Sequence, residues 1–292
     1  MNRVVKTLVT ENLIFLLIAF LPFASMPVIA LAQQGNQPEV FIEPLNVSRG
    51  KLMPQSNGGA VWPKDYYCDI VKREWGWSIC NGLDAFIVNF SEEVDTLLLE
   101  EPNSDGFVKF DDWNSKDKDK EINSIEKALV ESLKSQSENS GSTISFEGWR
   151  ATPVLDQEKN IMFYATDIAF DGEITTNIKA SLFDRYGYHV FRIVPSSSSL
   201  TQPEIKRIVR QVTAAYLPTV ESNYSSFKTG DNIAAGGALA VLAGLVGVKY
   251  GKAAATGLLA VALVFLKKAW IILLLPFLWI GKLFNRKKKN PE

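Results

Sequence analysis

The chain has 292 residues, of which 47% are apolar and 22% charged, with a formal net charge of −1. That length allows one or two domains with a core large enough to fold without cross-links, and the near-neutral balance gives no electrostatic reason to bind nucleic acid. A single His excludes multi-His metal sites and relays of two imidazoles, and two Cys exclude a four-Cys zinc site or a disulfide-rich scaffold.

At the N-terminus, Arg3 and Lys6 precede the apolar run Leu13 to Leu21, and Ala30-Leu31-Ala32 supplies small residues at the right distance. This pattern predicts a secretory signal over residues 1–32, cut between Ala32 and Gln33. Residues 33–60 are rich in Gly, Pro, Asn and Gln and read as a flexible lead. Residues 61–82 gather Trp62, Tyr66, Tyr67, Trp75 and Trp77, with Cys68 and Cys80 around the second half of the cluster. Export would place that pair in an oxidising compartment, where a Cys68–Cys80 disulfide is expected. Closing so short a loop is worth about 3 kcal/mol in the chain-entropy account. The aromatic rings read as the core of a small cap in preference to a stacking surface for a sugar or peptide.

Residues 83–230 are expected to form the exported domain. Ala85–Phe90 and Phe107–Phe110 read as strands, with Pro102-Asn103-Ser104-Asp105-Gly106 as the turn between them. Ile122, Ile125, Leu129 and Leu133 recur at helical spacing, so Asp119–Gln136 is predicted to be an amphipathic helix. Four strands follow: Ile144–Pro153, Ile161–Phe170, one centred on Ile174–Leu182, and Tyr188–Val194. Asp171-Gly172 is a strong two-residue hairpin signal. In the third strand Ile174, Thr176, Ile178, Ala180 and Leu182 alternate with Thr175, Asn177, Lys179 and Ser181, which predicts one buried and one wet face. Thr201-Gln202-Pro203-Glu204 opens a second helix as a capping box, with Ile205, Ile208, Val209, Val212 and Tyr216 as its apolar stripe. The expected fold is therefore α+β: an antiparallel four-stranded meander flanked by two amphipathic helices, followed by a C-terminal membrane-embedded helical anchor.

The anchor is expected over residues 231–285, in three apolar pieces: Ile233–Val248, Ala253–Leu266 and Ala269–Phe284. Each falls short of the ~20 residues that cross a bilayer core. Lys267, Lys268, Trp270 and Trp279 suit the membrane interface, and the basic tail Arg286, Lys287, Lys288 and Lys289, within residues 286–292, is expected in the cytoplasm. One and three crossings both fit an exported domain. Residues 33–230 hold 20 Lys and Arg against 29 Asp and Glu, about −9 in all. Such a domain is repelled by anionic headgroups and by anionic polymers.

Several ordered blocks resemble the bacterial membrane-anchored proteins of the domain of unknown function 2167 family. They are Asp105-Gly106-Phe107-Val108-Lys109-Phe110-Asp111-Asp112-Trp113, Phe146-Glu147-Gly148-Trp149 followed by Pro153, the hairpin Asp184-Arg185-Tyr186-Gly187, Asp231-Asn232-Ile233-Ala234-Ala235, and Phe265-Leu266-Lys267-Lys268-Ala269-Trp270. Departures include Phe107 where the family usually has Tyr, Tyr186 where it usually has Arg, and Leu217-Pro218-Thr219 in place of Asn-Pro-Gly. The segment before Leu83 is not part of the resemblance. What the resemblance implies is export and a C-terminal membrane anchor; it carries over no activity and no catalytic residue.

No motif supplies chemistry beyond this. His189 shares a strand face with Phe191 and Ile193 and lacks a nucleophile signature, so it reads as a packed strand residue. Asp111, Asp112, Asp117 and Asp119 miss the calcium-loop pattern, because Lys116 and Asp117 stand where a ligand and a Gly are needed. The Gly236-Gly237 pair lies in an apolar run without a phosphate-loop pattern. No catalytic, cofactor or metal residue is expected. The expected role is a non-enzymatic envelope protein of a bacterial inner membrane, with a periplasmic domain that binds or recruits an envelope partner. A hydrolase acting on envelope material and an accessory subunit of a transport assembly are the alternatives.

Overall fold

The computed structural model describes residues 37–55, 59–64, 66–68 and 82–248. Eleven strands and three α-helices are named here in chain order. The strands are β1 (Glu39–Phe41), β2 (Leu45–Val47), β3 (Gly50–Leu52), β4 (Gly59–Val61), β5 (Leu83–Ser91), β6 (Val94–Glu100), β7 (Ile144–Asp156), β8 (Ile161–Phe170), β9 (Glu173–Phe183), β10 (Tyr188–Pro195) and β11 (Tyr216–Pro218). The helices are α1 (Lys118–Ser140), α2 (Gln202–Ala214) and α3 (Ala238–Val246).

The expected four-stranded meander is only half of the main sheet. That sheet has eight antiparallel strands in the order β1-β4-β5-β6-β10-β9-β8-β7, and a second sheet has three, β11-β3-β2. The meander β7 to β10 is present near its expected bounds, and Asp171 and Gly172 both take the positive φ that a two-residue hairpin turn needs. What extends the sheet is β6. Its Leu97, Leu98 and Leu99 are all fully buried, so the strand is apolar without alternation, the pattern of a strand covered on both faces. Phe107–Phe110, expected as a strand, instead makes a single parallel bridge from Phe107 to Ile233. The expected flexible lead contributes β1 to β4, and its Phe41 packs into the core beside Phe90.

Both sheet faces are covered, which overturns the predicted wet face of β9. On one face α2 inserts Ile205, Ile208, Val209 and Val212 against Leu97, Phe163, Ile178 and Phe191. On the other, Ile125, Leu129 and Leu133 of α1 and the apolar side chains of α3 pack on Met162, Tyr164, Phe183 and Val190. Lys179 and Ser181 belong to that second face; Ser181 is fully buried and Lys179 half-buried. At its far end, Trp62 and Tyr67 stack on Phe86 with centroids 5.6 and 5.3 Å away, closing a third cluster with Val88 and Leu98.

The expected membrane-embedded helical anchor also needs correction. Its first piece, Ile233–Val248, holds the nine-residue α3, and Ala238, Leu239, Val241, Leu242, Ala243, Leu245 and Val246 are buried against the domain. At 1.5 Å per residue α3 is only ~13 Å long. Among the described residues no helix is long and apolar enough to cross a membrane. The later apolar pieces lie outside the described residues.

Phe191 is fully buried between the central strands and Tyr216. Phe191→Ala is expected to cost about 3–5 kcal/mol in urea unfolding, whereas Val220→Ala, at a side chain 87% exposed, should change stability by no more than about 0.5 kcal/mol.

Candidate functional site

Helix α3 reads Ala-Leu-Ala-Val-Leu-Ala-Gly-Leu-Val and carries no polar side chain. Its free N–H and C=O groups must therefore find partners elsewhere. At the N-terminus the Asp112 carboxylate accepts from the Ala238 N–H at 2.9 Å and the Leu239 N–H at 3.0 Å. Gly237 is required there, because a Cβ would lie 2.5 Å from the Asp112 carboxylate. At the C-terminus Gly247 takes φ +87° and turns the chain. The Leu245 carbonyl then accepts twice, from the Tyr164 hydroxyl at 2.8 Å and the Lys179 amine at 2.7 Å.

The approach to α3 is held just as closely. Arg185 forms a two-pronged pair with Asp231, through Nε at 2.7 Å and an Nη at 2.6 Å. The hydrogen bonds from Arg185 and the Lys228 N–H hold the Asp231 carboxyl at about 2. The Phe107 N–H donates to the Asn232 carbonyl at 2.8 Å, and the Ala234 N–H donates to the Phe107 carbonyl at 3.0 Å. Gly106, at φ +118°, leaves no room for a Cβ, which would sit 2.8 Å from the Asn232 oxygen. Phe107 lies between Tyr224 and Phe227, with centroids 4.4 and 4.2 Å away. Beneath the cradle, the Trp149 indole N–H donates to Glu126 at 2.5 Å and its ring meets Tyr164 edge-on. Four sequence-distant blocks, around Gly106, Trp149, Arg185 and Asp231, thus meet on one strap, residues 231–237, and the helix α3 that follows it.

A second network lies behind the same hairpin. Asp184 accepts from Arg49 at 2.6 Å and from the Tyr186 N–H at 2.7 Å. His189, fully buried, places Nε2 2.8 Å from the Tyr216 hydroxyl and 3.2 Å from Asp184. Tyr216 donates onward to the Ser48 carbonyl at 3.0 Å, which makes Nε2 the protonated nitrogen; Nδ1 is buried without a partner. Both partners of His189 therefore sit on one nitrogen, so the ring cannot pass a proton from one side to the other. The hydroxyl of nearby Ser48 is committed to Asp84 at 2.9 Å. Burial disfavours the Asp184 charge, but the hydrogen bonds from His189 and Arg49 outweigh it and hold the carboxyl below its usual range. Tyr186 joins the two networks, with the Arg49 and Arg185 guanidinium carbons 5.5 and 5.2 Å from its ring centre.

A third group spans the middle of the second face. Strand register places Phe86, Leu98, Arg192, Lys179 and Tyr164 in one row. Arg192 pairs with Glu100 beside Lys179. Burial, with the Arg192 charge adding to it, pushes the Lys179 amine down to about 7. Burial likewise raises the Tyr188 phenol to about 12.

Of the residues singled out by sequence, Cys68 is disulfide-bonded and lies beside the Trp62–Tyr67–Phe86 cluster. Cys80, Ala32, Gln33, Lys267, Lys268, Trp270, Trp279 and Arg286 to Lys289 lie outside the described residues. Asp112, read as part of a solvated loop, is the cap of α3. Arg49 and Lys179 carried no sequence signal: one sits in a Gly/Pro-rich lead, the other on an apparently wet strand face. Among the described residues no group of His, Cys, Asp or Glu has a metal-holding arrangement.

Two measurements test these networks. Asp184→Asn removes the charge that Arg49 is buried against and is expected to cost about 3–5 kcal/mol in chemical unfolding. Because the folded Asp184 carboxyl is held low, its stabilisation is complete above the unfolded value of about 4 and fades as pH falls through the folded value. The wild type should therefore lose stability more steeply than Asp184→Asn on acidification below about pH 4.

Among the curated proteins nothing matches this chain. Among solved structures, the solution structure of cyanobacterial PsbP (CyanoP) from Synechocystis sp. PCC 6803 aligns at 8% identity over 49% of this chain and 78% of that one, with a TM-score of 0.29; so slight a likeness carries no argument. The family model described as "Protein of unknown function (DUF2167)" matches residues 64–278, which takes in β5 to β11 and all three helices but not β1 to β4. The chain belongs to the DUF2167 family.

Proposed function

We propose that this protein is exported and held at the outer face of a bacterial inner membrane by the apolar sequence that follows α3, and that its domain binds or recruits an envelope partner. The observation that carries this reading is the strap. The domain commits Asp112, Tyr164, Lys179 and Arg185 to holding the segment that leads directly into Ala253–Leu266 and Ala269–Phe284. A domain built to be gripped by its own membrane-bound end keeps a defined distance and orientation relative to the lipid. The excess of 29 acidic over 20 basic residues in 33–230 supports the same picture, since it keeps the rest of the domain off anionic headgroups. Lys267, Lys268, Trp270 and Trp279 then sit at the interface, and Arg286 to Lys289 remain in the cytoplasm.

Fusion of alkaline phosphatase after Lys252, which leaves α3 and its cradle intact, is expected to give an active enzyme in a bacterial host, and fusion after Lys289 an inactive one. A green fluorescent protein at the same two points should show the opposite. An inactive phosphatase after Lys252 overturns the exported placement, and an active one after Lys289 overturns the cytoplasmic tail.

A further inference from the structure

We propose that the free edge of β9 at residues 173–177 is a docking site for an extended, basic segment of the envelope partner, which adds to the sheet as a further strand. The inference rests on the reading that the domain binds such a partner, and it names the surface and the kind of segment.

β9 outruns its neighbour. Its ladder with β8 continues to Phe170↔Glu173, but its ladder with β10 stops at Ile178↔Ile193. Pro195 lacks an N–H, and β10 stays with β6, where the Ser196 N–H donates to the Glu93 carbonyl. Glu173 to Asn177 are left with a strand on one side. The same strand shows where their main-chain groups face. The Phe183 N–H donates to the Asn160 carbonyl on the β8 side, and the next N–H, of Asp184, to the Gly187 carbonyl on the β10 side. Odd residues therefore bond to β8 and even residues face the other way. The N–H and C=O groups of Ile174 and Thr176 thus face the side that β10 has left, and no described strand pairs with them there. The Thr176 hydroxyl is held on the α2 face by Asp167 and the Ser198 carbonyl, and the adjoining loop Ser196–Ser199 has only small, exposed side chains.

The other edges are blunted. β1 and β2 are three residues long and follow Pro38 and Pro44, β11 ends at Pro218, and β7 has three register shifts and Pro153. Residues 173–177 carry none of these devices. Ile174, Thr175 and Thr176 are β-branched, and Ile174 is 52% exposed. Charge selects the occupant. Asp171 and Glu173 are exposed beside this edge, and residues 160–178 contain no Lys or Arg. Beyond β10, the β5–β6 turn adds Glu92 and Glu93, with Arg207 paired to Glu93. A second copy would bring two such acidic tips together, and like charges oppose that. A segment with Lys or Arg opposite Glu173 and an aliphatic residue opposite Ile174 gains at both positions.

The test uses the full chain in detergent and two labelled peptides, read by fluorescence anisotropy: Lys-Val-Lys-Val-Lys, and the same sequence with both Val nitrogens methylated. The first is expected to bind saturably, and the second at least about tenfold more weakly, because the methyl groups remove the donors that face Ile174 and Thr176. Glu173→Lys, at an exposed position, should weaken the first about tenfold. Ile174→Pro removes an outward N–H without touching the β8 ladder and should weaken it by a similar factor. Equal binding of the two peptides would overturn strand addition. Binding that Glu173→Lys leaves unchanged would overturn the basic segment. Self-association of the chain that Ile174→Pro abolishes would put a second copy on the edge and overturn the partner named here. No saturable binding would overturn the docking site and leave the export reading, which the phosphatase fusions test, standing.

Discussion

A helix without polar side chains must borrow the partners for its own ends. α3 is such a helix, and most of the domain's distinctive residues are arranged around that need. Asp112 reaches its first N–H groups from the segment before α1, and Tyr164 and Lys179 reach its last turn from two neighbouring strands. Removing Asp112 leaves the Ala238 and Leu239 N–H groups without that partner, and the Leu245 carbonyl loses its side-chain partners only when Tyr164 and Lys179 are both removed; an unpaired buried peptide group costs more than the hydrogen bond itself contributes. The same constraint explains the two glycines that a side chain would spoil. Gly237 lets Asp112 come close, and Gly106 lets the strap lie against the Phe107 backbone.

The hairpin Asp184-Arg185-Tyr186-Gly187 is where this arrangement joins the rest of the fold. Successive residues face different networks: Asp184 holds Arg49 and His189, Arg185 holds Asp231, and Tyr186 lies beside both guanidinium groups. Gly187 passes so near Asn103 that a Cβ would be 2.1 Å from its carbonyl oxygen. The N-terminal lead, the central sheet and the C-terminal strap are thus tied at one turn. Their charges are paired at short range, so each carboxylate is stabilised by a specific partner, without reliance on solvent.

The aromatic cluster before β5 belongs to the same logic of covering the sheet. Trp62 and Tyr67 lie on Phe86 at the end of the face that α1 and α3 do not reach. Between the two covers runs the polar row of Arg192, Glu100 and Lys179.

Local sequence determined the elements whose signals are short-range. The hairpin at Asp171-Gly172 follows from backbone conformations those two residues tolerate, and α2 follows from Thr201, Pro203 and Glu204 before an apolar stripe; Glu204 accepts from the Thr201 N–H at 2.7 Å. The family, too, was legible in ordered blocks. Tertiary structure alone decided the rest. β6 lacks alternation because both its faces are covered. The β1–β4 lead becomes ordered because Phe41 and Arg49 find partners 49 and 135 residues further along the chain, at Phe90 and Asp184. Lys179 looks like a solvent-facing residue until Leu245, 66 residues later, places its carbonyl 2.7 Å from the amine. Periodicity reports which side of a strand is apolar, but it cannot report what packs on the polar side, because that depends on where distant backbone ends need partners.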